Sequence, residues 1–201
     1  MIHVILADAE IELIRIGTRD EVLDAREHRN LVAGRLDANR CGRPDIVHDS
    51  LMLLLSSEHF QHGELSARVL TVEDEVLTFD EGSIVPEDFA AFKEALAALL
   101  SSRANRNELG WTMEAGCPLE KLVEDIGADA IILLSPRGQI IPLRALLNEL
   151  HHLDLVIIIG AFPEGDFRSD AYAIAHHVVS LGEEEMTVPS VIRELLGAIE
   201  H

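Results

Sequence analysis

Three apolar runs interleaved with helix-like segments constrain this chain more than any other feature. "ADAIILLS" (128–135) leads into "PLRALLNELHH" (142–152). "LDLVIIIG" (153–160) is the second run, and "AYAIAHHVVSL" (171–181) the third, before "VPSVIRELLGAIEH" (188–201). A strand that must keep one face in water alternates polar and apolar residues. A strand apolar at successive positions needs cover on both faces. Such strands alternating with helices predict an α/β fold, with a largely parallel sheet and helices on both faces. The predicted ligand site of such a sheet is at the carboxyl ends of its strands.

The segments upstream fit the same domain. "IHVILAD" (2–8) reads as a strand. Residues 10–40 are polar with scattered Leu, Ile and Val, and read as helix plus loop. "PDIVHDSLMLLLSS" (44–57) places apolar residues at Ile46, Val47, Leu51, Leu54 and Leu55, which is helical spacing. Its Pro44 falls in the first turn, where a missing N–H costs nothing. "LSARVLTVEDEVLTF" (65–79) reads as a hairpin turning at "EDE". "PEDFAAFKEALAALLSS" (86–102) reads as an amphipathic helix with acids in its first turn, "SSRANRNELGWTMEAGC" (101–117) as a loop, and "PLEKLVEDIG" (118–127) as a helix stopped by glycine. Residues 1–201 form one domain in this reading, with 60–85 a β-hairpin extension.

The chain is acidic. It carries 36 Asp plus Glu against 16 Lys plus Arg, a net charge of −20, and only Lys93 and Lys121 are lysines. Such a chain repels polyanions at long range unless its arginines gather on one face. The acidity reads either as a surface that keeps the protein soluble in a salty cytoplasm, where about 1 M salt shortens the Debye length to about 3 Å, or as avoidance of nucleic acid. A hydrophobic content of 48% and a mean hydropathy of +0.16 describe a globular chain. No apolar run reaches the length of a membrane span, and "MIHVILADAE" lacks the basic lead of a signal peptide, so the reading is a cytoplasmic protein without a membrane partner.

Several chemistries are disfavoured by pattern. There is no Walker lysine and no GxGxxG after the first strand. Ser135 is not in a G-x-S-x-G elbow. Ten histidines include the neighbours His151-His152 and His176-His177, but no HExxH and no spacing that matches a zinc template, so no metal is expected. Cys41 and Cys117 form no CxxC pair and read as buried, inert thiols. Three strand ends remain: "LLSPRG" (133–138), "IGAFPEGDF" (159–167), where Gly160 and Gly165 let a backbone approach a ligand closely, and "VSLGEEEMT" (179–187). A second cluster, Arg43-Pro44-Asp45, sits directly before the apolar helix. Asp45 is favourable in a first helical turn by roughly 0.3–1 kcal/mol, but the charge of Arg43 is not. That contrast points to a function for Arg43 and a supporting role for Asp45.

Taken together, "GRPDIVHDSLMLLLSS", "LTVEDEVLTF", "VPEDFAAF", "IIIGAFPEGDF" and "VVSLGEEEMTVPSVIRELL" resemble the Nep/Emg family of SPOUT-class methyltransferases of small-subunit ribosome biogenesis. The likeness runs from "HVILADAEIELI" to the end of the chain. It implies a SPOUT-type fold with a C-terminal trefoil knot and a homodimer. It also implies S-adenosylmethionine as methyl donor, yielding S-adenosylhomocysteine, and nitrogen-1 of a pseudouridine in small-subunit ribosomal RNA as acceptor. Ribosome-assembly proteins are further implied partners. The resemblance assigns cofactor contacts to Leu134 and Ser135, to Gly160, Ala161, Phe162, Pro163 and Gly165, and to Val179, Ser180, Leu181 and Met186. It gives Arg43 and Asp45 the catalytic positions, with Arg43 holding the RNA and Asp45 orienting it.

The chain departs from the family pattern in one stretch. Ile84, Glu87 and Ala91 stand where the family carries arginines, and Arg103 and Arg106 are the candidate substitutes. The acids Glu183, Glu184 and Glu185 also replace smaller or basic residues of the third loop. These departures leave open an alternative: a non-catalytic or retargeted dimeric ribosome-assembly factor that keeps the knotted fold. Scattered arginines on an acidic surface would favour that alternative. A patch joining Arg43, Arg103 and Arg106 beside the cofactor loops would favour the enzyme.

Overall fold

The computed structural model describes residues 1–102 and 106–199. The amino-terminal part runs β1 (Ile2–Ala9), β2 (Leu13–Ile16), β3 (Arg19–Val22), α1 (Arg29–Val32), α2 (Pro44–Ser56) and α3 (Glu58–Gln61). The middle holds β4 (Leu65–Thr71), β5 (Glu75–Phe79), α4 (Phe89–Ser102), β6 (Trp111–Ala115) and α5 (Leu119–Ile126). The remainder is β7 (Ala130–Ile140), α6 (Leu143–Glu149), β8 (Leu155–Gly160), α7 (Ala171–Ile174), β9 (His177–Ser180) and α8 (Val188–Ile199).

Seven strands form one sheet in the order β6-β5-β4-β1-β8-β7-β9. The pairs β4–β1, β1–β8, β8–β7 and β7–β9 are parallel, and β4–β5 and β5–β6 are antiparallel. The apolar runs of β1, β7 and β8 follow from double burial. Val4 and Leu6, Ile132 and Leu134, and Ile157 and Ile159 enter a core shared with α2, α4, α6 and α8. Their neighbours Ile5, Ala7, Ile131, Leu133, Val156 and Ile158 face the opposite core beneath α5 and α7. α2 starts at Pro44 and buries Ile46, Val47, Leu51, Leu54 and Leu55. Fully buried leucines such as Leu51 and Leu54 contribute about 1.5–3 kcal/mol each relative to exposure.

Several elements differ from the sequence reading. The 65–79 hairpin is built into the sheet through β4–β1 pairing rather than appended to it. Residues 10–40 hold a two-stranded antiparallel hairpin, β2–β3, and only a short helix; charged Arg15, Arg19, Asp20 and Glu21 mask the alternation because the hairpin is largely exposed. The 101–117 segment contains an edge strand, β6, on which Trp111 and Met113 are buried and Trp111 Nε1 donates to the Ile84 carbonyl at 2.9 Å. α4 starts at Phe89 rather than Pro86, and Asp88 caps it by accepting the Ala91 N–H at 2.8 Å. The 171–181 run divides into a helical turn and β9, because the Asp170 carbonyl accepts the N–H groups of Ala173 and Ile174.

β7 extends past Ser135, and this extension changes the carboxyl edge of the sheet. Val179 of β9 faces both Leu134 and Gln139 of β7. The intervening 135–138 segment therefore bulges out of the β7–β9 pairing. Gly138 lies so close that an added Cβ would stand 2.5 Å from the backbone N and C of Val179.

Candidate functional site

β8 and β9 end beside the middle of β7, and the segments that follow them line a cleft together with Leu134, Ser135 and Pro136 of β7 and with α8. Among the residues singled out in the sequence, Leu134, Ser135, Gly160, Phe162, Pro163, Gly165, Ser180, Leu181 and Met186 line it. Ala161 and Val179 do not. Both are wholly buried: Ala161 donates its N–H to the Ala7 carbonyl at 2.8 Å, and Val179 is held within the β7–β9 pairing. Apolar Ile159, Phe167, Val188 and Val191 and the acids Glu164, Asp166, Glu184 and Glu185 complete the lining. Glu184 and Glu185 are the third-loop acids that depart from the family pattern, and Ile159, Glu164, Asp166 and Phe167 fall within the strand end "IGAFPEGDF" without an individual role in the sequence reading; Val188 and Val191, in the terminal helix, are not singled out as site residues by the sequence.

Polar contacts tie the loops to one another. The Ser135 and Tyr172 hydroxyls lie 2.7 Å apart, and the Tyr172 hydroxyl donates to Asp166 Oδ1 at 2.7 Å. Arg137 pairs with Asp166 Oδ2 at 2.7 Å. Burial, reinforced by the Asp166 carboxylate, raises the Tyr172 pKa, so its hydroxyl keeps its proton at neutral pH. Gly160 differs from expectation. An added Cβ there would meet the Phe162 ring at 2.5 and 2.6 Å and the Phe167 ring at 3.2 Å, so the absent side chain makes room for two aromatic rings.

Arg43 and Asp45 are brought together as the sequence reading expects. Arg43 Nε donates to Asp45 Oδ1 at 2.8 Å and its Nη2 to Oδ2 at 2.9 Å, a two-pronged geometry. Arg26 adds a third bond to Asp45 Oδ2 at 2.6 Å. The hydrogen bonds to Asp45 raise the Arg43 pKa. Burial by itself would push the Asp45 carboxyl up, yet the bonds and charge of Arg43, then the charge of Arg26, bring it below the ordinary value. A carboxylate so engaged is a poor proton acceptor at neutral pH. The arrangement suits orientation of Arg43, whose side chain remains 32% exposed.

Arg43 belongs to the same end of the molecule as the cleft. Arg40 bonds the carbonyls of Glu164 and Asp166 in the β8 loop, and three residues of chain span at most about 11 Å. The 84–91 stretch lies beside α2, with His48 Nε2 2.8 Å from the Pro86 carbonyl oxygen. Ile84 and Glu87 are exposed there, and Ala91 is half-buried. Arg106 pairs with Asp80 at 2.8 Å and bridges Thr112 of β6, the strand at the far edge of the sheet from β9. Arg103 lies outside the described residues.

Other candidates resolve simply. Cys41 and Cys117 are buried free thiols, and burial raises both pKa values. Among the described residues no cluster of three or more His, Cys, Asp or Glu side chains is arranged to hold a metal, and no helix is long and apolar enough to cross a membrane.

The family model described as EMG1/NEP1 methyltransferase matches residues 4–200. The ribosomal RNA small subunit methyltransferase Nep1 of Thermococcus kodakarensis is 30% identical, with 100% of this chain and 98% of that protein aligned. The protein of the same name from Pyrobaculum arsenaticum is 32% identical over 89% of this chain and 80% of its own length. In fold, the chain is similar to Archaeoglobus fulgidus Nep1 crystallised with S-adenosylhomocysteine. The TM-score is 0.80 at 23% identity, covering 98% of this chain and 95% of that one.

Proposed function

This chain belongs to the EMG1/NEP1 methyltransferase family, and from that premise we propose that it transfers a methyl group from S-adenosylmethionine to nitrogen-1 of a pseudouridine in small-subunit ribosomal RNA. The observation that carries the reading is the cleft formed where β8 and β9 end beside Leu134–Pro136 of β7, with the Arg43–Asp45 pair at the same end of the fold.

The residues present fit the cofactor. Apolar Leu134, Ile159, Leu181, Met186 and Val191 suit the adenine, with loop backbone groups to bond its edge. Ser135 and Asp166 suit the ribose hydroxyls. The acids Glu164, Glu184 and Glu185 complement a ligand that carries an ammonium and a sulfonium. When bound, S-adenosylmethionine supplies an electrophilic methyl group and needs no metal. The protein's own contribution is positional: the cleft holds the donor while Arg43, its rotamer set by Asp45, forks onto RNA phosphate or a base edge.

The finer architecture belongs to the same reading. A trefoil knot is supported by the 135–138 bulge of β7, which sets Gly138 against the β9 backbone. A homodimer is supported by Val188, Val191, Leu196 and Ile199 of α8, half-buried in one chain, and by exposed Ile140 and Met186. Ribosome-assembly proteins are proposed further partners in the cytoplasm.

A second reading, a retargeted or non-catalytic assembly factor, is favoured by one observation. Ile84, Glu87 and Ala91 leave the surface beside α2 without the family's arginines, and Arg106 lies at the far edge of the sheet. The test is methyl transfer from labelled S-adenosylmethionine to small-subunit RNA fragments bearing pseudouridine or uridine at the same position. Pseudouridine-dependent labelling supports the enzyme. Cofactor binding with no transfer to any fragment supports the second reading.

A further inference from the structure

The loop after β8 is held from beneath by side chains that no part of the proposed chemistry uses. Arg40 is 8% exposed and Glu10 4%. Arg40 Nε donates to Glu10 Oε1, and its Nη1 donates to the Asp166 carbonyl at 2.6 Å and the Glu164 carbonyl at 3.4 Å. The guanidinium also lies over the Phe162 ring, 4.0 Å from its centroid. One cation thus touches three residues of the loop that lines the cleft. Arg168 also reaches Glu10, at 3.3 Å.

Asp8 secures the far end of the same loop. It adopts a left-handed backbone, φ 53°, uncommon for a residue with a Cβ. There its Oδ2 accepts the N–H of Arg168 at 2.6 Å and of Ser169 at 3.2 Å. Strain of this kind persists only where surrounding structure enforces it, and it clusters at functional sites.

We propose that Arg40, seated on Glu10, is a positioning residue that presets the 160–167 loop for the cofactor. The proposal rests on the reading of the cleft as the S-adenosylmethionine site. The physical reason is that two carbonyls and a ring fixed by one guanidinium leave the loop few alternatives. By pinning the Asp166 backbone, Arg40 also fixes where the Asp166 carboxylate enters the cleft. Lysine keeps the charge opposite Glu10 but lacks the planar fork that bonds Glu10 and the loop carbonyls together. If the loop is competent only about a tenth of the time, apparent affinity falls about tenfold.

The experiment compares the full-length wild type, Arg40→Lys, and the double variant Arg40→Met/Glu10→Gln, which removes both buried charges. S-adenosylhomocysteine affinity is measured by calorimetry, and amide hydrogen exchange is followed residue by residue. Arg40→Lys is expected to bind about tenfold more weakly and to exchange faster at Arg168 and Ser169, with β1 and β8 amides unchanged. If Arg40→Lys does not fold, the double variant carries the same expectation. If neither folds, Arg40 is structural and the proposal is overturned. Faster exchange throughout the sheet in step with the affinity loss also overturns it, as does wild-type affinity in the variants. In that last case the cleft reading survives. If the wild type itself fails to bind S-adenosylhomocysteine, the cleft reading falls and takes the proposal with it.

Discussion

Gly138→Ala adds one methyl group where β7 lies against the backbone of β9. Its Cβ would lie 2.5 Å from the Val179 backbone N and C and 2.6 Å from the Val178 carbonyl carbon. Non-bonded carbons prefer about 3.5–4.0 Å, so roughly 1 Å of movement is required. No flexible side chain can absorb it, because the obstacles are backbone atoms of a strand paired with β7. Overpacking a well-filled interior costs about 1–3 kcal/mol, and a backbone obstacle places this substitution at the upper end. For a domain of this size about 3 kcal/mol corresponds to a fall in melting temperature of roughly 6–12 °C. The assay is thermal unfolding followed by circular dichroism, beside Gly182→Ala as a control. Gly182 has nothing within 4 Å of an added Cβ, so its melting temperature should stay within about 2 °C of wild type. Because β9 leads into the loop bearing Leu181 and Met186, cofactor affinity should fall with Gly138→Ala as well. A Gly138→Ala protein that melts with the wild type would refute the close approach of Gly138 to the β9 backbone.

Gly160→Val should abolish S-adenosylhomocysteine binding in calorimetry by displacing the Phe162 and Phe167 rings; unchanged affinity would remove Gly160 from the site. Arg43→Ala should eliminate measurable RNA binding while leaving cofactor affinity intact, whereas the triple change Ile84→Arg, Glu87→Arg and Ala91→Arg should tighten RNA binding and steepen its salt dependence. A wild type that already binds RNA tightly with a steep salt slope would show that other cations compensate. The Asp45 carboxyl lies below its ordinary value when folded, so its stabilising contribution is present above an unfolded pKa near 4 and is lost as pH falls through the folded value. The melting temperatures of wild type and Asp45→Asn should therefore differ at pH 7, begin to converge as the pH falls below about 4, and meet only beneath the still lower folded value; a constant difference would rule out the ionised Arg43–Asp45 pair as its source. Sedimentation at micromolar concentration should give a dimer, and a monomer alone would leave the α8 stripe unexplained.

The sequence by itself determined the elements whose burial is two-sided or strongly periodic. β1, β7 and β8 are apolar at successive positions because both faces of the sheet are covered, and α2 is marked by Pro44 and its helical spacing. The Arg43–Asp45 contact was legible too, because two residues flanking a helix start cannot lie far apart. Short or exposed elements were not legible. β2, β3 and β6 are four- and five-residue strands whose pairing partners, not their composition, make them strands. Tertiary structure alone decided which strand-end residues face the cleft, sending Ala161 and Val179 into the core and bringing in Asp166 and Glu184. It also decided the Glu10–Arg40 seat and the pairing of Val179 with both Leu134 and Gln139. The physical reason is range. Periodicity and capping act over a few residues and are written locally, whereas a contact between residues 40 and 166 exists only once the sheet has brought their loops to the same edge.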